Sequence, residues 1–248
     1  MIHTQAGPPR LPTVREAGTA AAAVVALTAV LALFVKVADL LAERHAGLLD
    51  HTVLSEAVEH RSSAMTVFME AVSTAAEIPL LVAAVLLACA VAWQGRSWRP
   101  LVVTGGAGGL SVLLATLVKE VATRTRPPLA TAVVQETGFS FPSRHTTVAT
   151  ALLLVMAYLA ARRARSRKTS VLWWVAALAL SGLVASSRVY LGVHWATDVT
   201  AGFALGAAAA LAFVTADLGY GMLRRARGEQ SSTRSAAEPT ARSRSRRR

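Results

Sequence analysis

The chain has a single cysteine, Cys89, among its 248 residues. A disulfide framework is therefore excluded, and the place of Cys89 inside an apolar run argues against a redox role. Metal-ligand spacings are absent as well. His45, His51 and His60 stand near Asp50, Glu56 and Glu59, but without such a spacing they read as a solvated loop. Gly105, Gly106, Gly108 and Gly109 are not followed by the Lys-Ser/Thr of a phosphate-binding loop, so the expectation is close helix packing through small residues. Acidic residues are scarce, 14 against 26 basic, for a net charge of +12. In a soluble protein that excess would suggest nucleic acid. Here nine of the basic residues lie after Met222 in a Ser/Arg-rich tail, so position outweighs the total and no nucleic-acid partner is assigned. No internal repeat is apparent.

Apolar sequence, by contrast, is abundant: 54% of residues are hydrophobic and the mean hydropathy is +0.46. Six apolar runs cover residues 17–35, 78–94, 100–118, 146–161, 170–186 and 199–216. A helix needs about 20 such residues to cross a bilayer, and the first run exceeds the about 7–15 of a cleaved signal core. The expected fold is all-α, an integral membrane bundle of six transmembrane helices over residues 17–222. Residues 1–16 and the basic tail, 223–248, are expected to be disordered and cytoplasmic. Residues 39–77 are mixed, and the part from Ser55 to Ala76 has the composition of an amphipathic helix.

Charge orients the bundle. With both termini inside, 18 of the basic residues fall on the cytoplasmic side, in accord with the positive-inside rule. Of the eight that remain outside, Lys119, Arg124, Arg126, Arg144 and Arg188 cluster in two stretches of chain. Cations kept in the disfavoured compartment point to an anionic ligand. Arg124, with no patterned neighbour, reads as an ordinary loop cation and is left out of the site. Tyr190 and Trp195 read as interface anchors.

Three blocks lie in those stretches. Ser187-Arg188 is followed by His194 and then Asp198, the last two one helical turn apart and on one face. A carboxylate on one imidazole nitrogen sets the tautomer and frees the other nitrogen to attack or to take a proton. The same spacing arises by chance at many helix ends, and Asp198 and Ser143 are also both good N-caps. Upstream stand Lys119-x6-Arg126-Pro127 and Pro142-Ser143-Arg144-His145.

Taken together, the three blocks resemble the signature of the type 2 phosphatidic acid phosphatase superfamily, which also contains the vanadium-dependent haloperoxidases. One position departs: the family has Gly where this chain has Arg144. The resemblance implies a metal-independent membrane lipid phosphatase working through a phospho-histidine. His194 would be the nucleophile, Asp198 its orienting partner and His145 the general acid. Lys119, Arg126, Ser143, Arg144 and Arg188 would bind the phosphate. No metal or cofactor is called for, because the cations neutralise the phosphoryl charge. The substrate would be a lipid phosphate in the bilayer, of the isoprenoid diphosphate, phosphatidic acid or phosphatidylglycerol phosphate type, met at an extracytoplasmic site. The alternative is a non-catalytic binder or carrier of anionic lipids on the same fold. Arg144 raises a further question, since Gly tolerates a left-handed backbone that an Arg does not.

Overall fold

The computed structural model describes residues 14–42 and 46–237. Eight α-helices occur among them: α1 Val14–Ala42, α2 Ala46–Glu59, α3 Ser63–Ala75, α4 Ile78–Gly95, α5 Arg99–Ala122, α6 Arg144–Ala161, α7 Arg167–Tyr190 and α8 Ala196–Ala237. A 3-10 turn, Leu129–Thr131, sits between α5 and α6, and there is no strand among the described residues. Six helices are long and apolar enough to cross a membrane: α1, α4, α5, α6, α7 and α8. The all-α membrane architecture read from hydropathy is what forms.

Local chemistry sets the helix ends. Proline near the start of α4 and of α5 lacks an N–H that a first turn would leave unpaired anyway. Ser62, Ser143 and Ser166 cap α3, α6 and α7, each side chain accepting from a backbone N–H three residues on. Around its histidines the mixed segment is not the solvated loop expected, while the amphipathic helix expected from Ser55 to Ala76 forms over its second half, Ser63–Ala75. The segment folds as α2 and α3, both packed on α7. His45 lies outside the described residues. Of its neighbours, His60 is exposed, whereas His51 meets the Trp195 ring edge-on at 4.9 Å.

The described residues divide into two compact units, a large one of residues 25–214 and a small one that joins those up to 24 with those from 215. Within the large unit α6 is the central helix and packs on α4, α5 and α7. Two thirds of its apolar window is buried, 67%, against 6% for that of α1. The difference follows from where each helix stands, because lipid tails are as apolar as a protein core. Side chains such as Leu81, Leu113 and Trp173 are accordingly exposed, as befits a surface solvated by lipid. In the small unit, α8 continues through Ala237, past the point where the basic tail was expected to lose order. Its Ala, Arg, Glu and Gln are good helix formers. Residues 1–13 and 238–248, the rest of the expected disordered ends, lie outside the described residues.

Only part of the glycine expectation holds. A Cβ on Gly106 would come within 2.1 Å of the Phe213 ring, and one on Gly108 within 3.3 Å of Leu152. Gly105 and Gly109 meet nothing within 4 Å. They lie on the wall of an open groove.

Candidate active site

His194 is placed by a turn between two helices. α7 ends at Tyr190 and α8 begins at Ala196. Gly192 in between has φ +74°, and a Cβ there would lie 2.1 Å from the Thr131 carbonyl oxygen, so both conformation and space demand glycine. His194 is 1% exposed and Asp198 is fully buried. The Asp198 carboxylate accepts from His194 Nδ1 at 3.3 Å, from the Trp195 N–H at 2.9 Å and from the Ser140 hydroxyl. Asp198 is therefore not the N-cap itself. It stands three residues further on and reaches back, as the acidic member of a capping box does. With the proton on Nδ1, His194 Nε2 carries the lone pair, and Arg126 Nη1 lies 3.2 Å from it. Burial pushes the His194 imidazole down to about 4, so it is neutral at physiological pH.

The loop between α5 and α6 is folded around the cations. Lys119 Nζ donates to the Phe139 carbonyl and, at 3.4 Å, to that of Ser140. Arg126 donates to the carbonyls of Thr137, Gly138 and Val193 at 2.8–3.1 Å. Arg188, 2% exposed in the last turn of α7, donates to the Ser73 hydroxyl and to Glu136 Oε1 at 2.5 Å. Its Nε is buried without a hydrogen-bond partner. Such an orphan donor on a buried guanidinium is costly unless a ligand oxygen completes it.

Ser143 and His145 open α6. The Ser143 hydroxyl accepts from Thr146 N at 3.5 Å and from Thr146 Oγ1 at 3.1 Å. Both bonds use the oxygen as acceptor, which leaves the O–H as a donor. Ser143 N donates to the Asp198 carbonyl at 3.1 Å, which ties the start of α6 to the start of α8. His145 Nε2 is bonded to Glu77 Oε1, and its Nδ1 lies 3.9 Å from Glu136 Oε1. Arg144 is exposed and is the first residue of the helix. Outside glycine, only Arg96 and Thr123 have positive φ among the described residues, so Arg144 carries no left-handed strain.

The structure thus brings Arg126, Arg188, His145 and His194 around one carboxylate or imidazole partner after another, with Lys119, in the last turn of α5, bonded to the loop that carries Arg126. Five residues near them went unrecognised in sequence. Arg124, set aside as a loop cation, is paired with Asp198 at 2.6 Å and with Asp50 at 2.5 Å. Asp50 is 1% exposed and also accepts from the Thr197 N–H at 2.9 Å, so α2 is tied to the start of α8. Ser140 bridges Asp198 and His194. Glu77 and Glu136 bring carboxylates to His145 and Arg188. Tyr190 and Trp195 are buried rather than interfacial. Tyr190 OH accepts from Ser62 N at 3.1 Å, and Trp195 Nε1 donates to the Thr125 carbonyl at 3.0 Å. Arg124 was within reach, as a member of the misplaced cation cluster; the partners of the others are far off in sequence. Among the described residues, no group of three His, Cys, Asp or Glu side chains could hold a metal ion.

Beside His145 opens a groove of about 620 Å³. Ile78 and Leu81 of α4, Gly105 and Gly109 of α5, and Val148 of α6 wall it, with Glu77, Arg144 and His145 at its edge. It follows α6 as far as Leu152, about 10 Å along the helix axis.

A family model described as the PAP2 superfamily matches residues 96–219. Over 100 residues the chain is 40% identical to phosphatidylglycerophosphatase B of Bacillus subtilis, a match covering 40% of this chain and 48% of the relative. It is 35% identical over 130 residues to decaprenylphosphoryl-5-phosphoribose phosphatase of Mycobacterium tuberculosis, covering 51% of this chain and 65% of that one. The chain therefore spans about half to two thirds of these relatives' lengths. The crystal structure of a transmembrane PAP2-type phosphatidylglycerolphosphate phosphatase from Bacillus subtilis superposes with a TM-score of 0.69 at 29% identity, covering 76% of this chain and 95% of that one.

Proposed function

The chain belongs to the PAP2 superfamily, and from that premise we propose that it is a membrane phosphatase that hydrolyses a lipid phosphate ester or diphosphate through a phospho-histidine on His194. The observation that carries the reading is the cationic cradle of Arg126 and Arg188 beside the lone pair of a neutral, buried His194, with Arg188 Nε still lacking an acceptor.

In the first step His194 Nε2 attacks phosphorus, and the bond from phosphorus to the lipid oxygen breaks. Asp198 holds the Nδ1 proton, so the imidazole stays in the attacking tautomer. Lys119, Arg126 and Arg188 take up the charge on the non-bridging oxygens, together with the Ser143 hydroxyl and the backbone N–H groups that open α6. His145, as imidazolium, gives its proton to the leaving oxygen. In the second step water attacks phosphorus, its proton passes to His145, the phosphorus–nitrogen bond breaks and phosphate departs. The cations supply the charge neutralisation that a metal ion supplies elsewhere, so the scheme is metal-independent.

A lipid substrate is favoured by the groove, whose apolar walls take a chain while His145 and Arg144 stand at its edge. Phosphatidylglycerol phosphate, phosphatidic acid and isoprenoid diphosphates all have this form. The names of the relatives support the same substrate class. Residues 17–222 would be the catalytic domain, with the chain ends dispensable. Release of phosphate from a panel of such lipids, in detergent and excess chelator, tests the reading; no release from any of them overturns it. The positive-inside distribution of charge supports an orientation with residues 119–145 and 187–198 outside and both termini in the cytoplasm. Leu129→Cys in a Cys89→Ala background should then react with an impermeant thiol reagent on intact cells, since Leu129 is exposed. Labelling only after lysis would reverse the orientation.

A further inference from the structure

Glu136 is an anion set inside the proposed phosphate cradle. Its Oε1 lies 2.5 Å from Arg188 Nη2 and 3.9 Å from His145 Nδ1, and its Oε2 lies 3.6 Å from Arg126 Nη2. Two carboxylate oxygens thus bridge two guanidinium groups, as two oxygens of a phosphoryl group would. Burial works against the charge, but Arg188, His145 and Arg126 hold the Glu136 carboxyl below its ordinary value, so it is ionised at neutral pH. The side chain retains 24% exposure, which gives it a way out. It is carried on the stretch between the 3-10 turn and α6, which has no helix or strand to hold it.

We propose that Glu136 determines specificity by occupying the phosphate cradle as an internal anion, which a ligand must displace to bind. This rests on the phosphatase reading above. Free phosphate and water-soluble phosphate esters compete with Glu136 through their charged oxygens alone. A lipid phosphate adds the burial of its chain and is held at the membrane surface, so it displaces Glu136 where a soluble anion does not. After hydrolysis the return of Glu136 to Arg188 and Arg126 expels the product phosphate.

A bracing role makes the opposite prediction. If Glu136 served only to align the two arginines, its removal would weaken anion binding. The test is titration calorimetry of orthophosphate into the full-length protein in detergent, wild type against Glu136→Gln, alongside hydrolysis of p-nitrophenyl phosphate and of a lipid phosphate. A cradle that is free of Glu136 about one tenth of the time binds about tenfold more weakly than an empty one. Glu136→Gln should therefore tighten orthophosphate binding about tenfold, and it should raise turnover of the soluble ester relative to the lipid. Unchanged or weaker orthophosphate binding overturns the proposal. The calorimetric arm does not depend on turnover. If no lipid is hydrolysed and phosphate still binds tighter to Glu136→Gln, the phosphatase reading falls and the competition stands. Should Glu136→Gln fail to fold, Glu136→Asp, whose shorter carboxylate draws back from Arg188, carries the test with the same sign.

Discussion

His194 and His145 each stand against a carboxylate, but the two pairs are built in different ways. The His194–Asp198 pair is local: four residues apart, on one turn of chain, and sealed from solvent. His145 meets Glu77, 68 residues away at the head of α4, and Glu136 on the loop before α6. Both of those carboxylates are partly exposed, and the groove opens beside His145 and Glu77. In the proposed mechanism His194 is the nucleophile, which has to be neutral and fixed before substrate arrives, and a short sealed pair suits that. His145 in the same proposal is an acid that becomes a base within one turnover and needs access to water and to a leaving oxygen. The open pair has it.

The sharpest way to break the comparison is to delete each half. His194→Ala should lower turnover by more than about a thousandfold, because no phospho-enzyme can form, while lipid still binds to the cradle. Rapid-quench labelling with a phosphorus-32 lipid phosphate checks it, and an unchanged rate would remove His194 from the mechanism. His145→Ala should cost about 10²–10⁴-fold on an alkyl phosphate, the range for a general acid. The deficit should shrink on p-nitrophenyl phosphate, whose leaving group needs no proton. Asp198→Asn disturbs tautomer and orientation and leaves the ring in place, so a smaller loss than that of His194→Ala is expected, equal on both substrates. If the His145 and Asp198 variants respond alike to the leaving group, the division of roles is wrong.

Two smaller effects sharpen it. Protonation removes the His194 lone pair, and its pKa is held down near 4, so the acid limb of kcat/KM should appear only as pH falls toward about 4. A limb near the ordinary imidazole value would mean that His194 is better solvated than its burial allows. Glu77→Gln, at a half-exposed carboxylate, should change kcat only a few-fold and should leave KM for the lipid unchanged. A loss as large as that of His145→Ala would make Glu77 an equal partner.

The same contrast explains what sequence could and could not reveal. Membrane spans are legible because length and hydropathy are properties of one continuous segment, and all six apolar runs fall on long helices. His194 and Asp198 are legible because one helical turn joins them. Arg124 is not, because its meaning lies in Asp50, 74 residues away on a helix whose composition suggests a solvated segment. Glu77 and Glu136 are invisible for the same reason. Gly105 and Gly106 are adjacent, yet one faces the groove and the other the Phe213 ring, and only the placement of neighbouring helices separates them. The Arg144 question is settled by the φ of a helix start, which composition does not report.

A Cβ on Gly206 would lie 2.2 Å from the Thr147 carbonyl oxygen, and one on Gly202 would lie 2.8 Å from that of Ser143. Backbone therefore bears on backbone between α8, which begins just after His194, and α6, which carries His145. The two imidazoles are mounted on a caliper whose jaws cannot slide. A phosphoryl group is the same size on every lipid, and a fixed gauge suits it. In the proposed lipid phosphatase, any difference between substrates then falls on the groove wall of α4 and α5. Natural or designed changes of preference should accumulate there, while the glycines of the caliper stay as they are.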